Sequence, residues 1–224
     1  MIESFADEAA LAAAAAFATL EALGAGLAAR GHASLIGTGG RSPAPVYDLL
    51  SGTDMDWGRV TVSLSDDRFL PVTSLDSNER LVRERLMQGR AVRASFLPLY
   101  ANAPGPEAAA DIAEPHLRTL APFDMLFLGM GEDGHVASLI PGSPVMEAGL
   151  DPDGERYVIG VPAGVGSPPV ARISLTLPAL LQARTTLLLI KGQVKHEIVA
   201  QGSGLPVHAL IKQAKAPLRV LWTP

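Results

Sequence analysis

Between Ala9 and Ala29 apolar residues run almost unbroken, interrupted only by Thr19, Glu21 and glycines. Within that run Leu11, Phe17, Leu20, Leu23 and Leu27 recur at near-helical spacing, which predicts an amphipathic helix packed on a core. Ala33 to Ile36 reads as a short buried strand running into Gly37-Thr38-Gly39-Gly40. Ser42 is placed to cap a helix, with Pro43 at its first position and Val46 to Leu50 continuing it. Arg59 to Leu64 alternates as a strand and stops at Ser65-Asp66-Asp67. Asp76-Ser77-Asn78 is suited to cap a helix through Met87, ended by Gly89, and Glu107 to Leu120 is a further helix. Phe123 to Leu128 is an apolar strand ending in Gly129-Met130-Gly131. Tyr157 to Val161, Ile173 to Leu175, Thr185 to Ile190 and Leu218 to Trp222 are strands, with helices over Pro178 to Ala183 and Val194 to Ala200.

Strands that alternate with helices and are mostly apolar throughout imply a parallel sheet covered on both faces. The Pro/Gly-rich stretch 162–169 reads as a loop, and no linker separates domains, so one α/β domain over residues 1–224 is expected. In such sheets ligands bind beyond the carboxyl ends of the strands. Three strand ends carry polar or glycine-rich clusters: residues 37–42, 66–68 and 129–135.

Composition narrows the chemistry. The 224 residues carry a net charge of −5 without blocks of Lys or Arg, which argues against nucleic acid or an anionic membrane as partner. There is no cysteine, so disulfides, thiolate zinc sites and a Cys nucleophile are excluded. Residues 1–30 hold 13 alanines, yet the segment begins with Glu3, Asp7 and Glu8 where a signal peptide needs basic charge. A soluble, cytoplasmic protein is therefore expected, as a monomer or small homo-oligomer.

Gly129-x-Gly131-x-x-Gly134 matches a dinucleotide-binding pattern and follows a strand. Pro141-Gly142 and Pro144 leave too little chain for the long crossover helix that such a unit needs, and Asp151 and Asp153 sit in a Pro/Gly turn, so NAD binding is rejected. The chain lacks a G-K-[ST] phosphate loop, a G-x-S-x-G elbow and an H-E-x-x-H helix, and its five histidines are scattered singly. No metal and no cofactor are expected.

What remains is hydrolysis or isomerisation by His, Asp and backbone amides. Histidine is the side chain best suited to take a proton at neutral pH, and His135 sits in a glycine-hinged turn, so it is the candidate base. Asp133 either orients it or caps a helix from Val136 onward. Gly39, Gly40, Arg41 and Ser42 offer free N–H groups and a helix N-terminus to an anion. Asp66 and Arg68 are either a site acid and guanidinium or solvated loop charge.

Together these segments resemble the 6-phosphogluconolactonase family along nearly the whole chain. Gly39-Gly40-Arg41-Ser42-Pro43 is similar to G-G-S-T-P, and Trp57 to Val60 with Asp66 to Pro71 to W-x-x-V…D-E-R-x-V-P. Asp76 to Arg80 matches D-S-N-x-R, Gly129 to Leu139 resembles G-M-G-x-D-G-H-x-A-S-L, and Arg172 to Pro178 resembles R-I-T-L-T-x-P. Gly192 to Lys195 looks like G-x-x-K. The resemblance implies a three-layer α/β/α fold with a mainly parallel sheet, shared with glucosamine-6-phosphate deaminase, ribose-5-phosphate isomerase and CoA-transferase-like proteins. It implies hydrolysis of a sugar-phosphate lactone, with His135 as base and Arg68, Arg172 and Lys195 beside the Gly39–Ser42 loop holding the phosphate. Asp66 is then the candidate for a substrate-hydroxyl or His-orienting contact. Arg41, Ser42 and Asp67 depart from the family pattern, and Asp67 receives no catalytic role. A deaminase is the rival enzyme, but its D-E-Y and F-N-E-P motifs are replaced by Asp67-Arg68-Phe69 and Ser138 to Gly142. A sugar-phosphate sensing module is the non-enzymatic rival.

Overall fold

The computed structural model describes residues 2–224. Its elements in chain order are β1 (Ile2–Ser4), α1 (Glu8–Arg30), β2 (Ala33–Gly37), α2 (Ala44–Ser51), β3 (Val60–Leu64), β4 (Asp66–Arg68), α3 (Asn78–Arg85), β5 (Ser95–Phe96), α4 (Pro106–Leu120) and β6 (Met125–Leu128). Then follow α5 (Met146–Leu150), β7 (Val158–Val161), β8 (Arg172–Leu175), α6 (Leu177–Leu180), β9 (Thr186–Lys191), α7 (Gln193–Gln201), α8 (Pro206–Gln213) and β10 (Leu218–Thr223). Seven strands form one sheet in the order β1-β10-β9-β6-β2-β3-β5, with every pairing parallel. Helices flank this sheet. The strands β2, β6 and β9, buried along nearly their whole length, lie at its middle, where both faces are covered.

The parallel arrangement expected from the sequence holds for this sheet but not for β7 and β8. They pair antiparallel with each other and with β4 in a separate three-stranded sheet, over which α4 packs. Their buried, continuous apolar runs imitate parallel strands. The connection over residues 162–171, however, is shorter than the dozen or more residues a parallel crossover needs. The chain leaves the main sheet at Ser65, whose N–H donates to Gly37 O and whose carbonyl accepts from Leu175 N–H.

The alanine-rich segment is α1, capped by Asp7 Oδ1 on Ala10 N–H and closed by Gly31 in the left-handed conformation. It is long and apolar enough to cross a membrane, yet Leu11, Ala15, Thr19, Leu23 and Gly26 form a buried stripe against the sheet and α2. That is how a core helix packs. Phe17 does not belong to the stripe and is 64% exposed. It lies two residues from both Ala15 and Thr19, so a helix of 3.6 residues per turn points it away from them.

Other boundaries moved. Ser42 makes no capping bond, and Pro43 itself holds the N-cap position of α2. Helix α3 keeps its Ser77 cap but stops at Arg85. The short helix α5, the edge strands β1 and β5 and helix α8 carry too little periodicity to be read from the sequence.

Tyr47 on α2 anchors the turn after β2. Its buried hydroxyl accepts from Thr38 N–H and donates to Thr38 O, each at 2.8 Å, and burial pushes the phenol well above its ordinary range. Tyr47→Phe strands both backbone groups, so the protein is expected to lose about 1–3 kcal/mol of stability. In urea unfolding the midpoint falls while the m-value stays unchanged; an unmoved midpoint would show that water replaces the hydroxyl.

Candidate active site

The chain crosses from one half of the main sheet to the other between β2 and β6, the switch point where open α/β sheets place their ligands. One cavity of about 210 Å³ opens there. It is lined by the ends of four adjacent strands: Gly39 to Pro43 after β2, β4 after β3, Gly129 to Gly131 after β6, and Lys195 after β9. Of the residues singled out in the sequence, Gly39, Gly40, Arg41, Ser42, Asp66, Arg68, His135, Arg172 and Lys195 all face this cavity. Asp133 does not line it but touches a residue that does. A roomier cleft of about 450 Å³ lies between β1, β10, α7 and α8, but apolar side chains such as Ile2, Val199 and Leu218 line it throughout. It holds no group for chemistry.

His135 is held by Asp133, whose Oδ1 lies 2.6 Å from the ring Nδ1 and also accepts from the His135 N–H. No helix starts at Asp133; the segment is a tight turn in which Gly131 N–H donates to His135 O and Gly134 N–H to Gly131 O. There is thus no helix for Asp133 to cap, and its carboxylate bonds His135 instead. A side chain at Gly131 would overlap both the His135 ring and Asp133 Oδ1, so only glycine lets the pair close. Burial works to raise the Asp133 carboxyl, but the adjacent His135 and the hydrogen bonds from it outweigh that and hold it below its ordinary value. With Asp133 ionised, the Nδ1 proton points at it and Nε2 is left free to accept one. Ala137 has a left-handed backbone, φ 50°, and lines the cavity two residues on. Such strain in a non-glycine residue costs of order 1–3 kcal/mol and concentrates at functional sites.

The acidic cluster is buried, which overturns its reading as solvated loop charge. Asp66 Oδ2 accepts from Ser138 Oγ at 2.6 Å and lies 3.9 Å from Arg172 Nη1. Its carboxylate is bound to those groups, so the orientation of His135 falls to Asp133 alone. Ser174 Oγ in turn accepts from Ser138 N–H, tying β8 to the histidine turn. Asp67 points away from the cavity into the β4–α3 junction, where its oxygens accept from three backbone N–H groups. Burial pushes its carboxyl up to about 6 despite those bonds. Because folding raises this group, its contribution to stability is present at acid pH and is lost as pH rises through about 6.

Two guanidinium groups line the cavity. Arg68 Nη1 donates to Asp76 O and Asn78 Oδ1, and Arg172 Nη2 donates to Pro168 O. Both Nε atoms are buried without any partner. Burial works against the Arg172 charge, while Asp66 partly restores it. Both side chains line the cavity, and guanidinium groups in such a setting suit an anionic ligand. Arg41 is exposed at the rim and Lys195 is half-buried on the first turn of α7. Asn78 was overlooked as a site residue although its D-S-N motif was noted. It lines the cavity, its Nδ2 donates to Asp66 O, and its amide fills the space that a side chain at Gly39 would need.

The model of a family described as glucosamine-6-phosphate isomerases/6-phosphogluconolactonase matches residues 6–222. A 6-phosphogluconolactonase of Caulobacter vibrioides is 40% identical over 223 residues, 99% of this chain and 96% of its own. One from Pseudomonas aeruginosa is 42% identical over 205 residues, 88% and 84% of the two chains. The crystal structure of a 6-phosphogluconolactonase from Shewanella baltica superposes with a TM-score of 0.94 at 34% identity, covering 100% of this chain and 97% of that one. A monomeric glucosamine-6-phosphate deaminase shares the fold, with a TM-score of 0.79 at 17% identity, 99% and 96% of the chains being covered.

If the His135–Asp133 pair persists in solution, His135→Ala removes what depresses Asp133 while burial remains. The carboxyl carbon of Asp133, followed by NMR, is then expected to titrate at higher pH than in the wild type. An unmoved midpoint would mean that the pair is not formed.

Proposed function

The chain belongs to the glucosamine-6-phosphate isomerase/6-phosphogluconolactonase family, and we propose that it hydrolyses 6-phospho-D-glucono-1,5-lactone to 6-phospho-D-gluconate with His135 as general base. The observation that carries this reading is one cavity holding an Asp-paired histidine together with the guanidinium groups of Arg68 and Arg172, whose buried Nε atoms have no protein partner. A base alone would suit many reactions. A base beside an anion cradle suits a phosphorylated substrate with no nucleophile other than water.

In this mechanism His135 Nε2 takes a proton from water as the oxygen attacks the lactone carbonyl. Asp133 stabilises the imidazolium that forms. The Gly131 N–H is already committed to His135 O, so the amides of Gly39 and Gly40 are the oxyanion donors. Collapse of the tetrahedral intermediate breaks the bond to the ring oxygen, which takes the proton back from His135 and leaves the base neutral. Arg68, Arg172 and Lys195 hold the phosphate, Arg41 and Ser42 extend the cradle at its rim, and Asp66 receives a sugar hydroxyl. Anchoring the remote phosphate spends binding energy on positioning the carbonyl. The chain acts as one domain in the cytoplasm, as a monomer or small homo-oligomer.

The assay generates the lactone in situ with glucose-6-phosphate dehydrogenase and follows its loss against the spontaneous rate. His135→Ala is expected to lower kcat by roughly 10²–10⁴-fold, the range of general acid–base catalysis; wild-type turnover in that variant would remove His135 from the mechanism. Arg172→Ala and Lys195→Ala are expected to raise KM more than they lower kcat, and an unchanged KM in both would take the phosphate elsewhere. Ammonia release from glucosamine 6-phosphate, if it exceeded lactone hydrolysis, would replace the lactonase reading by the deaminase one.

A further inference from the structure

We infer that Asp67 is a positioning residue for the substrate anion, its carboxylate locking Arg68 and Asn78 into the arrangement in which both face the cavity. This rests on the reading of the cavity as a sugar-phosphate site. Asp67 Oδ1 accepts from Arg68 N–H at 2.7 Å and from Asn78 N–H at 2.6 Å, so one atom fixes the backbone of two cavity residues. Oδ2 accepts from Glu79 N–H at 3.0 Å and Ser77 Oγ at 3.3 Å. Helix α3 already has its own cap in Ser77, whose Oγ accepts from Arg80 N–H. Asp67 is thus a second anchor that reaches the helix start from a different element and ties it to β4.

What hangs on this anchor is the cavity wall. The Asn78 amide receives Arg68 Nη1 at 3.0 Å, donates to Asp66 O at 2.9 Å and packs where Gly39 has no side chain. The direction of the Arg68 guanidinium, and of its unpartnered Nε, is therefore set by atoms that Asp67 holds. Protonation puts an O–H donor where an acceptor stood and removes the charge, so the bonds from the Arg68, Asn78 and Glu79 N–H groups to this buried carboxyl weaken. With its carboxyl pushed up to about 6, Asp67 makes this exchange just below neutrality. The charged groups around it are Asp66 and Arg68 on its own strand, Arg172 on the paired β8, and Asp76 and Glu79 at the start of α3. Glu79 is itself paired with Arg83.

Sulfate tests this without turnover, because it stays a dianion throughout the interval. On charge alone, acidification should tighten sulfate binding, since Asp67 loses its negative charge. Loosening of the cradle has the opposite sign. Isothermal titration of the wild type with sulfate is expected to show affinity falling about tenfold between about pH 7.5 and 5.5, the worth of one charge-assisted hydrogen bond. Asp67→Asn should bind weakly at both pH values and show no such fall. Affinity that holds or rises on acidification of the wild type overturns the proposal, as does the absence of sulfate binding at neutral pH. A fall in Asp67→Asn equal to that of the wild type overturns it too. The wild-type arm stands by itself should the variant fail to fold. Lactone turnover at neutral pH is measured separately: its absence alongside the expected sulfate profile would refute the lactonase reading and not the role of Asp67.

Discussion

Each parallel pairing in the main sheet obliges both strands to end on the same edge, and six such pairings in succession bring all seven carboxyl ends to one side. That constraint turns a set of unrelated turns into a site. The clusters after β2, β3, β6 and β9 lie far apart in the chain, yet these four strands are immediate neighbours in the order β9-β6-β2-β3. The core that enforces the register is close to purely apolar, with Leu35, Ile36, Val62, Leu126, Leu128 and Leu188 essentially without exposure. At about 25 cal/mol per Å² such burial dominates the stability of the sheet. It leaves the turns free to carry groups that do not help folding.

Several of those groups oppose folding. A buried, unpaired Nε in each of two arginines, a left-handed alanine and a carboxylate kept from water are all unfavourable to folding. The two arginines and the carboxylate lie where β4 leaves the main sheet to join β7 and β8. The small antiparallel sheet therefore does more than extend the fold. It carries Arg172 opposite Arg68 and brings Ser174 to the turn that holds His135.

Much of this was legible because different physical signals agreed. The turn from Gly129 to His135 combined a strand end, three glycines and a titratable ring, and the structure puts each to use. Helix α1 was legible from its spacing, except for Phe17, which hydrophobicity alone assigned to the wrong face. Strands β7 and β8 were legible as strands but not in direction, since burial on both faces looks alike in a parallel sheet and in a covered hairpin. Asp66 stayed open between a site acid and solvated charge because no local pattern reports burial produced by segments elsewhere in the chain; the partners of Asp66 and Asp67 lie at Ser138 and Asn78. Ser42 had the right residue type for a cap, but Pro43 took the position.

The spread of the cavity along the chain also bears on how the protein is made. A growing chain has β2, β3 and the Gly39 to Arg68 segment long before β9 and Lys195 emerge, and β6 finds its second neighbour only when β9 arrives. The last strand, β10, then slots between β9 and β1, uniting the two ends of the chain. Pairings of such separation are slow to form and leave apolar edges uncovered in the meantime. The proposed anion cradle, which draws on β4, β8 and α7, cannot exist in any early fragment, so a ligand bound there is no template for folding. It can reward only the finished sheet.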